Sequence, residues 1–356
     1  MRITNNMMTA NTIWNLNQNL ERLSKAQEQA SSQSKIQLPS DDPVVAARAI
    51  KYRNYVAKVE QYQKNVDNAS SWQEVTDSAL SDLGDIIKRL KELTVQASSD
   101  ILSDSDQESI KTEVSELKQQ VVDVMNTSYA GRYVFAGYET DSPPYAIEST
   151  ELGDKVTFKG DYLSLGGPTA ESVSDDDIIN YCSTNADQTY QAQNDGTQAI
   201  QFNIGFGVQI AVNVEGQNVI GGATGANLFD TIDKLLLGLG GATSYKTAQL
   251  DTSTSPATVT VQDNTLDLDT VLSDLDTDYD RVLTARADLG ARMNYVSMAK
   301  DRLSNDNTTY TQLMSNNEDV DTAEVSIELS TAQYVYEASL TVGAKVIGKS
   351  LVDFLT

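Results

Sequence analysis

The sequence predicts a mainly α protein with a β-rich insertion. Its N- and C-terminal segments form a long antiparallel helical rod or coiled coil, and its middle forms a separate β domain. Three observations predict this. Apolar residues recur in alternating steps of three and four at both ends of the chain. Between Tyr138 and about Asn264 the texture changes, with frequent Gly, Pro, Asn, Asp and Thr and short alternating runs. The helical pattern then resumes, so the two ends must meet in space for the middle to be an insertion.

The first helix is read from Ile13, Leu16, Leu20, Leu23, Gln27 and Ala30, which step by 3, 4, 3, 4, 3 onto one stripe. A break follows at Leu38-Pro39-Ser40. Asp42 then caps a new start, with Pro43 at the first helical position, where its missing N–H costs nothing. The residue before a proline is driven out of the α region, which suits an N-cap. This second helix is expected from Pro43 to about Ala97, with Leu80, Leu83, Ile87 and Leu90 as its later seam. Ser105 and Glu108 form a capping-box pair for the third helix. Ile110, Val114, Leu117, Val121 and Val124 carry that helix on, and Gly131 marks its end.

The fourth helix is the longest. Leu268, Leu272, Leu275, Tyr279, Val282, Leu289, Met293, Val296, Leu303, Tyr310 and Met314 fit one series, interrupted at Arg286, Lys300 and Asn307. At ~1.5 Å per residue it extends roughly 65–70 Å, the dimension of a rod. A last pattern runs through Val325, Leu329, Ala332, Tyr336, Leu340, Ile347, Leu351 and Phe354. In the middle, Lys155–Phe158, Val208–Val214 and Thr258–Val261 read as strands and Leu228–Leu237 as a short helix. The division expected is a terminal coiled-coil domain from residues 1–42 and 315–356, a helical rod from 43–138 and 265–314, and a β-rich domain from 139–264.

Composition narrows the function. Against 26 Lys and Arg stand 51 Asp and Glu, for a net charge of −25, which repels phosphate backbones and anionic membrane surfaces. The chain contains no histidine, which removes His-based acid–base catalysis and nearly all catalytic zinc sites. Its one cysteine, Cys182, cannot form an internal disulfide and reads as an incidental thiol. No window approaches 18 apolar residues, so no transmembrane helix is expected. The start, Met1 to Asn19, lacks the apolar core of a cleaved signal peptide, so any export is expected to use another route.

Sharper sites give way to plainer ones. Asp41-Asp42-Pro43 could be a carboxylate pair, but a helix cap explains Asp42 better. Asp175-Asp176-Asp177 lacks the spacing of a calcium loop and reads as a solvated acidic loop. Gly238-Leu239-Gly240-Gly241 follows a helical run and has no Lys-Ser/Thr after it, so it is no phosphate loop. No catalytic residue, metal ligand or cofactor is expected, and the protein reads as non-enzymatic.

The terminal stripes point to assembly. Residues 9–35 hold the large apolar side chains Ile13, Trp14, Leu16, Leu20 and Leu23. Each contributes about 1.5–3 kcal/mol when buried, whereas every ordered residue costs ~1–2 kcal/mol of backbone entropy. Such a segment needs a partner helix, and the C-terminal stripe is the one within the chain. Neighbouring copies would cover the remainder, with both termini loose in the free monomer and helical in the assembly.

The segment Lys35-Ile36-Gln37-Leu38-Pro39-Ser40-Asp41-Asp42-Pro43-Val44-Val45-Ala46-Ala47-Arg48-Ala49, followed by Glu60-Gln61-Tyr62, Asn65-Val66, Ala69, Leu80 and Glu92–Ala97, resembles the N-terminal signature of the flagellin superfamily. Asp288-Leu289-Gly290-Ala291-Arg292-Met293-Asn294 and Ser350–Leu355 are similar to the end of its members. Gly131–Tyr138, Thr140–Tyr145, Asn227–Ile232, Met1–Thr4 and Met7-Met8 resemble the branch that joins hook to filament more than flagellin itself. Val335–Leu340 departs from the family's Gln- and Ala-rich pattern.

The resemblance implies an inner terminal helix pair, a helical rod outside it and a projecting β domain. It implies a structural role in the bacterial flagellum as a hook–filament junction ring, with flagellin, the major filament subunit, as the alternative. The implied partners are copies of itself, hook-associated protein 1, flagellin and an export chaperone covering Leu340, Ile347, Leu351 and Phe354. The implied route out of the cell is flagellar type III export. Assembly contacts are expected at Ile13, Leu16, Leu20, Leu23 and those four C-terminal positions, and the signature residues are Ser40, Asp41, Asp42, Pro43, Gly290 and Arg292.

Overall fold

The computed structural model describes residues 5–98, 103–190, 198–222, 227–251 and 258–352. Side chains at 5–6, 251 and 346–352 lie outside the description, as does the whole of Phe354. The chain groups into two compact units, residues 1–61 with 302–356 and residues 62–301. No helix among the described residues is long and apolar enough to cross a membrane.

In the first unit, α1 (Asn5–Ser32) lies antiparallel to α8 (Thr322–Val352). After α1 the backbone turns through Gln33 at φ 55. Ser34 forms an antiparallel bridge with Asp319, flanked by Lys35 N–H donating to the Glu318 carbonyl at 2.7 Å and Val320 N–H to the Gln33 carbonyl at 3.2 Å. Here α7 (Leu268–Glu318) gives way to α8, level with the break between α1 and α2 (Pro43–Ala97). Each new helix starts on an aspartate. Asp42 Oδ1 accepts from Val44 N–H at 2.9 Å and Val45 N–H at 3.1 Å, and Asp321 Oδ1 accepts from Ala323 N–H at 2.9 Å. These caps satisfy amide donors that the first turn of a helix leaves without partners. The opening of α2 meets the end of α7 through stacked Tyr55 and Tyr310 and a bond from Arg53 Nε to Glu318 Oε2 at 3.0 Å.

The second unit is a helical core carrying the insertion. Leu80, Leu83, Ile87 and Leu90 of α2 are fully buried, as are Leu275 and Leu289 of α7. Two of the polar interruptions in the α7 series are ion pairs across the helices. Arg286 grips Asp77 of α2 with two bonds, at 2.7 and 3.1 Å, and Lys300 meets Asp67 at 2.9 Å.

The third helix, α3 (Asp104–Met125), departs from expectation at both ends. Its capping box is Ser103 with Asp106, not Ser105 with Glu108. Both pairs have the required spacing, and the earlier one stands where the chain is still extended. The helix ends at the Asn126 cap. Gly131, at φ 79, instead forms the turn between β1 (Ser128–Tyr129) and β2 (Arg132–Tyr133) together with Ala130 at φ 51, a pair of left-handed residues that suits a two-residue hairpin.

The insertion mixes strands and helices. β3 (Tyr145–Thr150), β4 (Gly153–Phe158) and β5 (Asp161–Tyr162) form one antiparallel sheet. β6 (Thr169–Ala170), α4 (Asp175–Thr184), β7 (Gln201–Gly205), β8 (Val208–Ala211), α5 (Gly216–Ile220), α6 (Leu228–Leu239), β9 (Ser244–Asp251) and β10 (Thr258–Thr265) follow in the insertion, with β10-β9-β6 and β7-β8 as separate sheets. The sheet β10-β9-β6 closes with α4 over Leu152, Tyr162, Leu165, Ile178 and Cys182. Asp175-Asp176-Asp177 is the first turn of α4 rather than a loop. Ser174 caps it, acidic charge suits the amide end of a helix, and Lys246 reaches Asp175 at 2.8 Å. The strand expected over residues 208–214 stops at Ala211, because the Asn213 side chain takes over the pairing by accepting from Ile200 N–H and donating to the Gln198 carbonyl.

Candidate assembly surface

The seam between α1 and α8 mixes small and polar residues with apolar ones. Besides Gln18 and Gln29, the less exposed positions on α1 are Thr9, Thr12, Leu16, Asn19, Leu23 and Ala26, and on α8 they are Val325, Leu329, Ala332, Tyr336, Ser339 and Gly343. Both sets keep alternating three- and four-residue steps, so each marks one face of its helix. Asn19 Nδ2 donates to Ser339 Oγ at 2.7 Å, and buried Gly343 lies beside the Thr12 methyl. The hydrogen bond helps fix register, while Leu16, Leu23, Leu329 and Tyr336 are only half-buried, so the seam stabilises the pair less than a closed apolar core would.

The large apolar side chains of these helices lie mostly outside the seam. The expected stripe on α1 splits: Leu16 and Leu23 are half-buried against α8, while Ile13, Leu20, Gln27 and Ala30 face outward. Trp14 is 64% exposed, and Met7 and Met8 are also exposed. On α8, Ile327 is 69% and Tyr334 74% exposed, and Val335, Leu340 and Val342 stand open as well. Ile347 and Leu351 belong to α8, but their side chains lie outside the described residues. Exposed large apolar side chains thus recur along both helices, and surface of this kind marks places where another molecule can dock.

Charge is also nearly absent here. α1 holds two acidic and two basic residues, and α8 three acidic and two basic, for a combined charge of −1. The chain as a whole carries −25. Copies of the protein can therefore approach through this pair without the repulsion that the remainder of the surface generates.

The signature residues brace the joint beside the pair. Asp41 Oδ2 accepts from Gln37 N–H at 3.2 Å and Leu38 N–H at 3.1 Å, and Lys25 approaches its other oxygen at 3.9 Å. The amides of Leu38 and Gln37 hold the Asp41 carboxyl below the usual carboxylate range. The turn they close displays Leu38, 63% exposed, beside exposed Pro39 and Ser40. Asp42 caps α2 and Pro43 opens it, so this acidic pair does backbone work. Far along α7, Arg292 Nη1 donates to the Asn213 carbonyl at 3.2 Å and docks the 198–214 segment onto the helix. Gly290 has open space where a Cβ would stand.

The buried ionisable groups hold the insertion together. Lys118 Nζ reaches Asp233 at 2.5 Å and the Asp154 carbonyl at 3.0 Å, while Asp230 accepts from Ser164 Oγ at 2.7 Å and Asn227 Nδ2 at 3.0 Å. Burial pushes the Asp230 carboxyl up to about 6, against the pull of nearby Lys155. Burial likewise lifts the Cys182 thiol to about 11, the state of an inert core cysteine.

Two family descriptions match the ends of the chain: the bacterial flagellin N-terminal helical region over residues 3–140 and the bacterial flagellin C-terminal helical region over residues 272–355. The chain belongs to the flagellin family. Among curated relatives, this flagellin-family chain is similar to flagellar hook-associated protein 3 of Escherichia coli, with 27% identity over 90% of this chain and 89% of that protein. Flagellar hook-associated protein 3 of Salmonella typhimurium is 31% identical over 41% of this chain and 46% of its own length. A flagellin from Clostridium tyrobutyricum is 30% identical over 36% of this chain and 34% of the relative. Among solved structures, a flagellar hook-associated protein from Vibrio parahaemolyticus superposes with a TM-score of 0.55 at 15% identity, covering 78% of this chain and all of that one, which is a likeness of fold.

Sequence reasoning missed Tyr334, Ile327 and the exposed position of Leu38. A search for apolar stripes finds Val325, Leu329, Ala332 and Tyr336 on the α8 side of the seam, but on α1 it passes over Thr9, Thr12 and Asn19, which share the seam with Leu16 and Leu23. The signal that was available is the recurrence of small or polar residues, Thr12, Asn19 and Ala26, at every seventh position.

Proposed function

We propose that this chain is a structural subunit of the bacterial flagellum that forms the junction ring between hook and filament. The observation that carries the reading is the extent of the likeness. Similarity to the Escherichia coli hook-associated protein runs over 90% of the chain, the insertion included, whereas the Clostridium flagellin matches 36%. A neutral helix pair with outward apolar side chains supplies the physical means of assembly.

In this reading residues 1–42 and 315–356 form the inner layer, 43–138 and 265–314 the rod, and 139–264 the outer domain. The ring meets hook-associated protein 1 on one side and flagellin on the other, joining two lattices that do not pair directly. The chain leaves the cell unfolded through the flagellar type III channel, with a chaperone on the apolar positions of α8, Leu340, Ile347 and Leu351 among them. A mixed seam and a lone cysteine suit passage through a narrow pore, since neither demands much to unfold. The chemistry is mechanical, and no group in it turns over a substrate.

Electron microscopy of a deletion strain tests the reading. Intact hooks without filaments, with flagellin released into the medium, are expected. Normal filaments in the deletion strain, or this chain as the major filament band, would contradict it.

A further inference from the structure

The buried face of α2 in the second unit has two unlike halves. In the later half it consists of Leu80, Leu83, Ile87, Leu90 and Leu93, none of them more than 1% exposed. α3 lies beside that half, where Arg89 Nε donates to Glu113 at 2.7 Å. In the earlier half the same three- and four-residue steps continue as Val66, Ala69, Gln73 and Thr76, equally buried but with far less apolar bulk. α3 has ended at Met125, and at this level the Tyr129 ring of the β1-β2 hairpin stands edge-on to Trp72, 6.1 Å between centroids.

Gln73 occupies the middle of the thinner half. It is fully buried, yet neither its side-chain oxygen nor its nitrogen bonds another group of the protein, and the indole N–H of adjacent Trp72 likewise has no acceptor. The Thr76 hydroxyl turns back to the Trp72 carbonyl at 2.9 Å. Two ion pairs, Asp77 with Arg286 at 2.7 Å and Asp67 with Lys300 at 2.9 Å, identify residues 286–300 as the stretch of α7 that runs opposite. The buried side chains of that stretch are Leu289 and Val296, which neither donate nor accept. A primary amide held in such a layer loses its water and gains no partner, a penalty on the closed arrangement. The flanking ion pairs reach solvent and hold the layer weakly.

We infer that α2 and α7 part locally at this layer, letting the Gln73 amide reach water while the leucine-rich half from Leu80 to Leu93 stays closed. A group that is costly to bury and readily hydrated favours the open form, and openings of this kind start where buried apolar contact is thinnest. Two hydrogen bonds from the 198–214 segment limit the separation by reaching both helices. Asn65 Nδ2 donates to the Asn203 carbonyl at 2.8 Å, and Arg292 Nη1 donates to that of Asn213 at 3.2 Å. The helix pair thereby has a point of flexure that leaves its main core intact. This opening is a property of the free chain and is independent of the junction reading.

Two measurements on the free full-length protein test this. In the parent chain, backbone amides over residues 66–76 should exchange about tenfold or more faster than those over 80–93. Equally slow exchange in the two stretches would overturn the proposal. Gln73→Met keeps the length of the side chain and much of its volume while removing the polar atoms. It should slow exchange over 66–76 toward the rate of 80–93 and raise the midpoint of thermal unfolding by about 2–4 °C. Leu83→Met, a swap of similar size in the closed half, should give no such rise. A midpoint unchanged or lowered by Gln73→Met, or a Gln73→Met chain that does not fold, would mean that the amide is satisfied in the closed state and would overturn the proposal.

Discussion

The two helical regions of this protein obey the same heptad arithmetic and reach opposite outcomes. In the large unit, α2, α3 and α7 turn Leu80, Leu83, Ile87, Val114, Leu275 and Leu289 inward until nothing of them is exposed. In the terminal pair, α1 and α8 meet through Thr12, Asn19, Ser339 and Gly343 and leave Trp14, Leu20, Ile327 and Tyr334 outside. The first region is complete within one chain. The second leaves much of its apolar side-chain surface exposed. The difference teaches that periodicity reports a helix, whereas the residues on each face report whether that helix has finished folding.

Substitution separates the two regions most sharply at leucine. Leu83→Ala leaves a cavity in a closed core and should cost about 2–5 kcal/mol in denaturant unfolding of the free protein. Leu20→Ala, at an exposed site, should cost under about 0.5 kcal/mol in the same experiment while reducing incorporation into hook–filament structures. Equal losses from the two changes would erase the contrast.

Acidity probes the large unit through a buried carboxylate. Asp230 is pushed up to about 6 when folded against an ordinary 3.8, so the folded protein holds this proton more tightly than the unfolded chain. Its contribution is fully present below about 3.8 and is lost as pH rises through about 6. Asp230→Asn should flatten the pH dependence of stability in that window by an amount on the order of 2–3 kcal/mol, read from melts of both proteins at pH 4 and pH 7. An unchanged slope would place the buried charge elsewhere.

Smaller effects are expected at the joint and on the rod surface. Asp42→Ala removes the cap of α2 and should cost about 1 kcal/mol, with faster amide exchange confined to the first turn after Pro43. Lys300→Met breaks an exposed pair with Asp67 and should leave the unfolding midpoint unchanged within error.

Much of this architecture was legible in the residues. Asp42-Pro43 marks the start of α2 because proline and an acidic cap each satisfy a constraint of the first turn. The α7 series is readable through its interruptions, since Arg286 and Lys300 occupy seam positions that face carboxylates on α2. What stayed hidden depended on competition between near-equal local choices. Ser103-x-x-Asp106 and Ser105-x-x-Glu108 offer the same cap two residues apart, and Asp175-Asp176-Asp177 suits a loop or a helix start until Ser174 is seen to cap it. β3 and β9 carry too little alternation to stand out, and their pairing is settled by partners across the sheet. On α1, Ile13, Leu16, Leu20 and Leu23 were legible as one stripe, but not its split into Leu16 and Leu23 half-buried and Ile13 and Leu20 exposed, which is set by the path of α8.

Amide exchange tests the central claim most directly. Measured by mass spectrometry on the free full-length protein and on the same chain in isolated hook–filament structures, residues 7–32 and 322–345 should exchange quickly in the former and slowly in the latter. The α2 seam around Leu80–Leu90 should remain slow in both. Slow exchange across the terminal helices of the free protein would mean that the pair is already complete in one chain, and would contradict the account.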